Sequence, residues 1–194
     1  LGSSIGISKV SDRTALEEKI TLACSFAPRI LAEKAIVNLR EINCSVLGDG
    51  SSCKASACEE PVMNDEILSF SDKYESNSSS KGMASLSRII PAKIPDEKTK
   101  EIQDISERLF KYLDCCGVVR IDFIIDEGDG GKVYINEINT IPGSLAFYLW
   151  KESGIEYKEL LDKMISLGQK RDRDRKNLTF TYDTNILEKG AFGA

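Results

Sequence analysis

Four polar side chains around residue 130 are spaced to do chemistry together. The stretch Val118-Val-Arg-Ile-Asp-Phe-Ile-Ile-Asp126 and the stretch Lys132-Val-Tyr-Ile-Asn-Glu-Ile-Asn139 flank Glu-Gly-Asp-Gly-Gly. Two runs rich in Val and Ile around a Gly/Asp turn predict a β-hairpin. With the turn centred at Asp129/Gly130, Asp122 faces Glu137 and Arg120 faces Asn139. A side-chain period of two puts all four on one face of the pair. Directly opposed carboxylates repel and weaken a sheet. The arrangement makes sense with a cation between them.

Asp122, Glu137 and Asn139 offer hard oxygen donors, and the chain has no histidine. Such a set favours Mg²⁺ or Mn²⁺ over zinc or copper. Mg²⁺ held by two or three protein ligands completes its shell with water and phosphate oxygens, so a nucleotide is the implied partner. Arg120 adds a fixed positive charge suited to an anionic transition state. The competing reading is a salt-bridged hairpin in which Arg120 neutralises one carboxylate. It accounts for a single pair better than for two acids plus Asn on one face, and it leaves the following Thr-Ile-Pro-Gly143 unexplained.

Arg-Ile-Asp-Phe followed by Asn-Glu-Ile-Asn-Thr-Ile-Pro-Gly resembles the metal-binding signature of D-alanine–D-alanine ligases, members of the ATP-grasp superfamily. Leu1-Gly-Ser-Ser-Ile-Gly-Ile-Ser-Lys9 is similar to their glycine-rich loop, Asp72-Lys73-Tyr74 to their active-site loop, and Ile-Ile-Pro-Ala92 to its exit. The matches run in order from Leu1 to about Leu167, which chance matches to short motifs would not produce. The resemblance implies the large catalytic half of an ATP-grasp fold. It implies ATP-dependent joining of D-alanine to D-alanine or D-serine, through an acyl phosphate, for peptidoglycan. It also implies a cytoplasmic enzyme that is a homodimer at full length. An N-terminal domain and part of a central domain are expected to precede Leu1.

The same resemblance assigns roles. Glu33, Lys34 and Ile36 match a hinge that binds adenine. Glu41 matches a carboxylate on the ribose hydroxyls, across a connection one residue longer than usual. Lys73 would meet the ATP phosphates. Tyr74 would close the site against water and order the Gly-Ser loop through Ser3. The Gly143 backbone N–H and Arg120 would form an oxyanion site. The chain departs from the family after Pro-Gly, where Tyr148 occupies the register of a Ser that contacts the acceptor carboxylate. Two readings stay open: Tyr148 supplies the hydroxyl, or it reshapes the pocket. Asn-Leu-Arg-Glu-Ile-Asn-Cys-Ser-Val-Leu-Gly and Lys81-Gly-Met-Ala-Ser85 resemble D-alanine–D-serine ligases linked to glycopeptide resistance.

Several elements must position these groups. Ser11 is placed to cap a helix running to about Cys24 with Leu16, Ile20 and Ala23 on one face, ended by Pro28. Arg29–Lys34 and Glu41–Leu47 read as strands, 48–60 as a polar surface loop, and Asp65–Lys81 as a lid. Pro95 opens a helix carrying Ile102, Ile105, Leu109 and Leu113. Further helices are expected near 145–153 and 156–168, with Lys170–Lys176 a solvated helix end and 177–194 without an assigned role. This order gives an α+β class with antiparallel strands covered by helices.

At 194 residues the chain is long enough for a sizeable core. Acidic residues outnumber basic ones by 31 to 26, which argues against a nucleic-acid partner. No apolar run reaches membrane-span length. The six cysteines form no paired CxxC motif; Cys53 and Cys58 could bond, but an intracellular enzyme would keep them reduced.

Overall fold

The computed structural model describes residues 6–62 and 88–179. Five antiparallel strands form one sheet: β1 (Leu39–Gly48), β2 (Cys53–Pro61), β3 (Arg88–Ile89), β4 (Gly117–Asp126) and β5 (Lys132–Asn139). Their order is β3-β2-β1-β4-β5, which puts the long β1–β4 pair at the centre. Among the described residues, helices α1 (Arg13–Phe26), α2 (Asp96–Tyr112), α3 (Phe147–Glu152) and α4 (Tyr157–Lys176) join the sheet in an α+β architecture.

Alternation along the central strands divides the sheet into two faces. Ile42, Cys44 and Val46 of β1 oppose Phe123, Ile121 and Val119 of β4. This apolar face takes α2, whose Ile102 and Phe110 are fully buried. Pro95 sits at the N-cap of α2, with Asp96 and Glu97 in the first turn and Lys111 in the last, each favourable to the helix dipole.

Among the described residues the opposite face is covered only in part. Leu47 and Val118 form a smaller cluster there with Trp150, Ile155 and Leu160 from α3 and α4. Trp150 is 0% exposed, and its indole N–H donates to Ser45 Oγ (3.1 Å), whose hydroxyl donates to the Val119 carbonyl (2.7 Å). Ser153, at the end of α3, accepts from the Ala57 N–H of β2 (2.8 Å). That N–H lies where β2 bulges against β1, between the pairs Cys44↔Cys58 and Val46↔Ala55.

Two expected elements are corrected. Arg29–Lys34 is irregular chain leading into β1, not a strand. The expected loop 48–60 is mostly β2. Its Cys-Lys-Ala-Ser-Ala-Cys-Glu-Glu looks polar, but the small side chains of Ala55, Ser56 and Cys58 fit beneath a packed helix. Pairing and burial outweigh the low strand propensity of these residues. The first helix is capped by Asp12 rather than Ser11, its carboxylate accepting from Ala15 N–H at 2.9 Å. None of its residues is buried. All six cysteines are free, and Cys58 lies opposite Cys44 in the sheet, away from any bond to Cys53. The expected 65–81 lid lies outside the described residues.

The seating of α3 is testable. Ser45→Ala leaves the Trp150 indole N–H without its acceptor in a dry interior, which costs about 1–3 kcal/mol. Unfolding free energy from denaturant melts should fall by that amount, seen as a lower midpoint at unchanged slope, and an unchanged midpoint would show that the bond does not hold α3.

Candidate active site

The hairpin brings Arg120 opposite Asn139 and Asp122 opposite Glu137, as the alternation of the sequence requires. The path to that register differs from the expected one. The strands end at Asp126 and Lys132, joined by a 3-10 turn at Glu127–Asp129 and two left-handed glycines, Gly130 (φ 65) and Gly131 (φ 76). The Asp126 carboxylate accepts from Gly128 N–H at 3.0 Å and fixes the turn. Left alone, this register would pair Asp122 with Asn136. A bulge supplies the correction: Phe123 pairs with Ile135, Asp122 with Glu137, and Asn136 is the extra residue. Bulges commonly re-aim side chains beside active sites.

Arg120 grips Asp122 through two bonds, Nε to Oδ1 and Nη2 to Oδ2, both 2.6 Å. This pair raises the guanidinium pKa further above its ordinary value, outweighing the opposite effect of burial. Asn139 Nδ2 donates to Asp122 Oδ2 (2.9 Å) and to Glu137 Oε1 (3.3 Å). One amide therefore bridges the two carboxylates, with its partly positive hydrogens where a cation would relieve their repulsion. The donor set suits Mg²⁺ or Mn²⁺: two carboxylates plus an amide that presents its oxygen on rotating. Among the described residues no three acidic, His or Cys side chains converge, so this mixed set is the candidate.

The hairpin site continues across the sheet. Glu59 of β2 pairs with Asn43 of β1, Asn43 with Asp122, and Asp122 with Glu137. These four form one row of polar side chains across four strands. Glu59 is 2% exposed and accepts at Oε1 from Asn43 Nδ2 (3.0 Å) and the Tyr148 hydroxyl (2.9 Å). Its Oε2 accepts no hydrogen bond and lies 3.6 Å from Arg88 Nε. The Arg88 guanidinium sits 4.1 Å from the centre of the Tyr148 ring, a cation–π contact. Sequence reading missed Glu59 and Arg88. Glu59 stands in the 48–60 segment expected as a surface loop, where nothing in the sequence marks a carboxylate as buried.

Between hairpin and α3 the chain makes a tight turn, Gly143–Ala146. Ser144, Leu145 and Ala146 all take left-handed backbone angles, with φ of 51, 55 and 50. Three consecutive non-glycine residues there store strain, which clusters at functional sites. The turn holds because buried Ala146, Leu149 and Trp150 anchor its far end. Gly143 is exposed at its near end.

A family model described as the D-Ala D-Ala ligase C-terminus matches residues 1–166. The chain belongs to that family. A D-alanine–D-alanine ligase of Thermosipho melanesiensis is 43% identical over 188 residues, covering 97% of this chain and 49% of that protein. The ligase of Caldicellulosiruptor bescii is also 43% identical, over 94% of this chain and 48% of its own length. The chain thus spans about half the length of the curated relatives it matches. Among solved structures, the D-alanine–D-alanine ligase of Coxiella burnetii has a TM-score of 0.72 at 28% identity, covering 91% of this chain and 44% of the other. The VanG D-Ala:D-Ser ligase of Enterococcus faecalis has 0.67 at 29%, over 86% and 46%.

The remaining residues expected from this ligase family fall unevenly. Glu41 lies on β1 on the same face as Asn43, and lines a cleft of about 300 Å³ with Leu39, Glu60 and Ile89. Glu33 and Lys34 are exposed in the irregular segment before β1, and Ile36 is half-buried. Ser3, Lys73 and Tyr74 lie outside the described residues.

Tyr148 provides a pH test. Burial first, then the charge of Glu59, pushes its phenol up from 10.0 to about 12. A folded pKa above the unfolded value means the fold holds the proton more tightly. The stabilisation is therefore complete below the unfolded value and is lost as pH rises towards 12. A late tyrosinate absorbance step is expected, and Tyr148→Phe should remove it. If that step persists in the variant, it belongs to another tyrosine and Tyr148 is not the late-titrating group.

Proposed function

We propose that the protein containing this chain joins D-alanine to a second D-amino acid, D-alanine or D-serine, at the expense of ATP. On this reading the chain is the C-terminal catalytic half, and the reaction supplies peptidoglycan precursors in the cytoplasm, in a homodimer. The observation that carries the reading is the single sheet face on which Arg120, Asp122, Glu137 and Asn139 meet. Family membership supports it independently.

The chemistry follows from what these groups can stabilise. The γ-phosphoryl group of ATP passes to the carboxylate of the first D-alanine and forms an acyl phosphate. The amine of the second amino acid then attacks its carbonyl carbon, and inorganic phosphate leaves. Asp122, Glu137 and Asn139 would hold Mg²⁺ or Mn²⁺, which neutralises phosphate charge when bound. Arg120, fixed by Asp122, presents a permanent positive charge to the oxyanion, with the Gly143 N–H as second donor. Glu41 would take the ribose hydroxyls, and the Glu33–Ile36 segment the adenine. Lys73, Tyr74 and Ser3 would close the site over the phosphates and keep out water.

Glu137 is exposed, so Glu137→Gln alters charge without altering packing. In the full-length protein it should lower ATP-dependent phosphate release by roughly 100-fold, the scale of one lost transition-state contact. Full activity in the variant would sink the metal assignment. Phosphate release by the parent with D-alanine alone makes it a D-alanyl-D-alanine ligase, and release that needs D-serine makes it the mixed type. No release with either would leave only a nucleotide-binding module.

A further inference from the structure

At neutral pH the acceptor amino acid brings its nitrogen as an ammonium, which has no lone pair for attack on an acyl phosphate. A group beside that nitrogen must take a proton from it. Arg120 has no acceptor atom, and both oxygens of Asp122 already accept from Arg120, one of them also from Asn139. The polar row offers another carboxylate. Glu59 is buried and held in register by its pairing with Asn43, and the one proton of the Tyr148 phenol goes to its Oε1 at 2.9 Å. Among the described residues no donor occupies the phenol oxygen, so its lone pairs are open to an N–H.

Resting on the ligase reading above, we propose that Tyr148 and Glu59 form a proton relay, in which the Tyr148 oxygen takes a proton from the acceptor's ammonium while passing its own to Glu59 Oε1. The register places this pair. Glu59, Asn43 and Asp122 sit side by side on three neighbouring strands, so Glu59 and Asp122 are two strand spacings apart on one face, about 10 Å. Glu59 and Tyr148 both act electrostatically on Arg120, the cation assigned to the oxyanion. The charged groups facing the pair are Arg120 from β4 and Arg88 from β3, which lies 3.6 Å from Glu59 Oε2 and 4.1 Å from the centre of the Tyr148 ring. That ion pair belongs to the carboxylate form, the one able to take a proton. Burial and the Glu59 charge push the phenol up to about 12, so Tyr148 works by handing a proton on and not as a standing tyrosinate. Glu59 Oε2 is buried and accepts no hydrogen bond, a cost that native proteins tolerate where the group has work to do. The step balances. One N–H bond breaks and leaves its electron pair on nitrogen, the phenol stays neutral, and Glu59 becomes a carboxylic acid. The freed pair bonds to the acyl carbon, the C–O bond to phosphate breaks, and the second surplus proton leaves on the phosphate. The proton on Glu59 returns through Tyr148 to water as the dipeptide departs.

The test uses two nucleophiles that share one acyl phosphate, because their product ratio is independent of how fast that intermediate forms. The full-length protein is given ATP, Mg²⁺, D-alanine and hydroxylamine, and D-alanyl-D-alanine and D-alanyl hydroxamate are separated by mass. Hydroxylamine is unprotonated at neutral pH and needs no base. Tyr148→Phe should lower the ratio of dipeptide to hydroxamate by roughly 100-fold at neutral pH, the scale of a lost general base. The ratio should recover as pH rises through the range where the acceptor amine loses its proton unaided. Glu59→Gln keeps an oxygen for the phenol but takes no proton, and should shift the ratio in the same way. An unchanged ratio in Tyr148→Phe would overturn the proposal. So would a ratio that falls equally at every pH, which would make the hydroxyl a binding group for the acceptor's carboxylate. Should Glu59→Gln fail to fold, Tyr148→Phe, which keeps the ring, decides alone. A wild-type protein that makes neither product would overturn the ligase reading instead, a result distinct from an altered ratio.

Discussion

The burial of Trp150 against the sheet is the constraint on which the site depends. Its indole fills the space over Leu47 and Val118, and its N–H is satisfied by Ser45 in the middle of β1. With that anchor set, α3 has one orientation, and Ser153 secures its far end to the N–H exposed by the β2 bulge. Everything N-terminal to the anchor must then fit between the end of β5 and Trp150. Only a few residues are available, and the chain spans the gap through left-handed geometry at Ser144, Leu145 and Ala146. The strain of the turn is thus the consequence of two fixed ends.

A row of polar groups across a sheet is expensive unless each member has a partner. Here the costs are met pairwise. Arg120 takes Asp122, Asn139 bridges Asp122 and Glu137, and Asn43, Tyr148 and Arg88 surround Glu59. The remaining imbalance is at the two ends, where Glu137 is exposed and Glu59 Oε2 accepts no hydrogen bond. Those ends are where the hairpin would receive a cation and where Arg88 approaches. The apolar face behind the row, packed on α2, supplies the rigidity that keeps the pairs in register.

Alternation made the hairpin legible: Arg120, Asp122, Glu137 and Asn139 could be put on one face because a period of two admits few alternatives. The register was reached for an incomplete reason, since a bulge at Asn136 compensates a turn that is longer than assumed. The helix from Asp96 was legible through Pro95 and its spaced apolar residues. β2 was not, because Cys, Ala and Ser carry no strand signal until a neighbour and a helix bury them. Glu59 was lost with it: a carboxylate at 2% exposure looks the same in sequence as one in a loop. The irregular stretch before β1 failed in the opposite sense, its Arg-Ile-Leu suggesting a strand where none of the described residues pairs with it.

Asp122 is subject to two demands that the geometry reconciles. As a partner of Arg120 it offers both oxygens, and as a metal ligand it would have to share one. Oδ2 already does this, accepting from Nη2 of Arg120 at 2.6 Å and from Asn139 at 2.9 Å. Rotation of the Asn139 amide replaces a donor with an oxygen, so the direction that now carries a proton becomes one suited to a cation. Arg120 keeps Oδ1 throughout and stays in place. A lysine at this position could hold the charge but not both oxygens, because its ammonium is a point without a fork. The bidentate pair is therefore what allows one carboxylate to position the cationic side chain and still face the opposing strand.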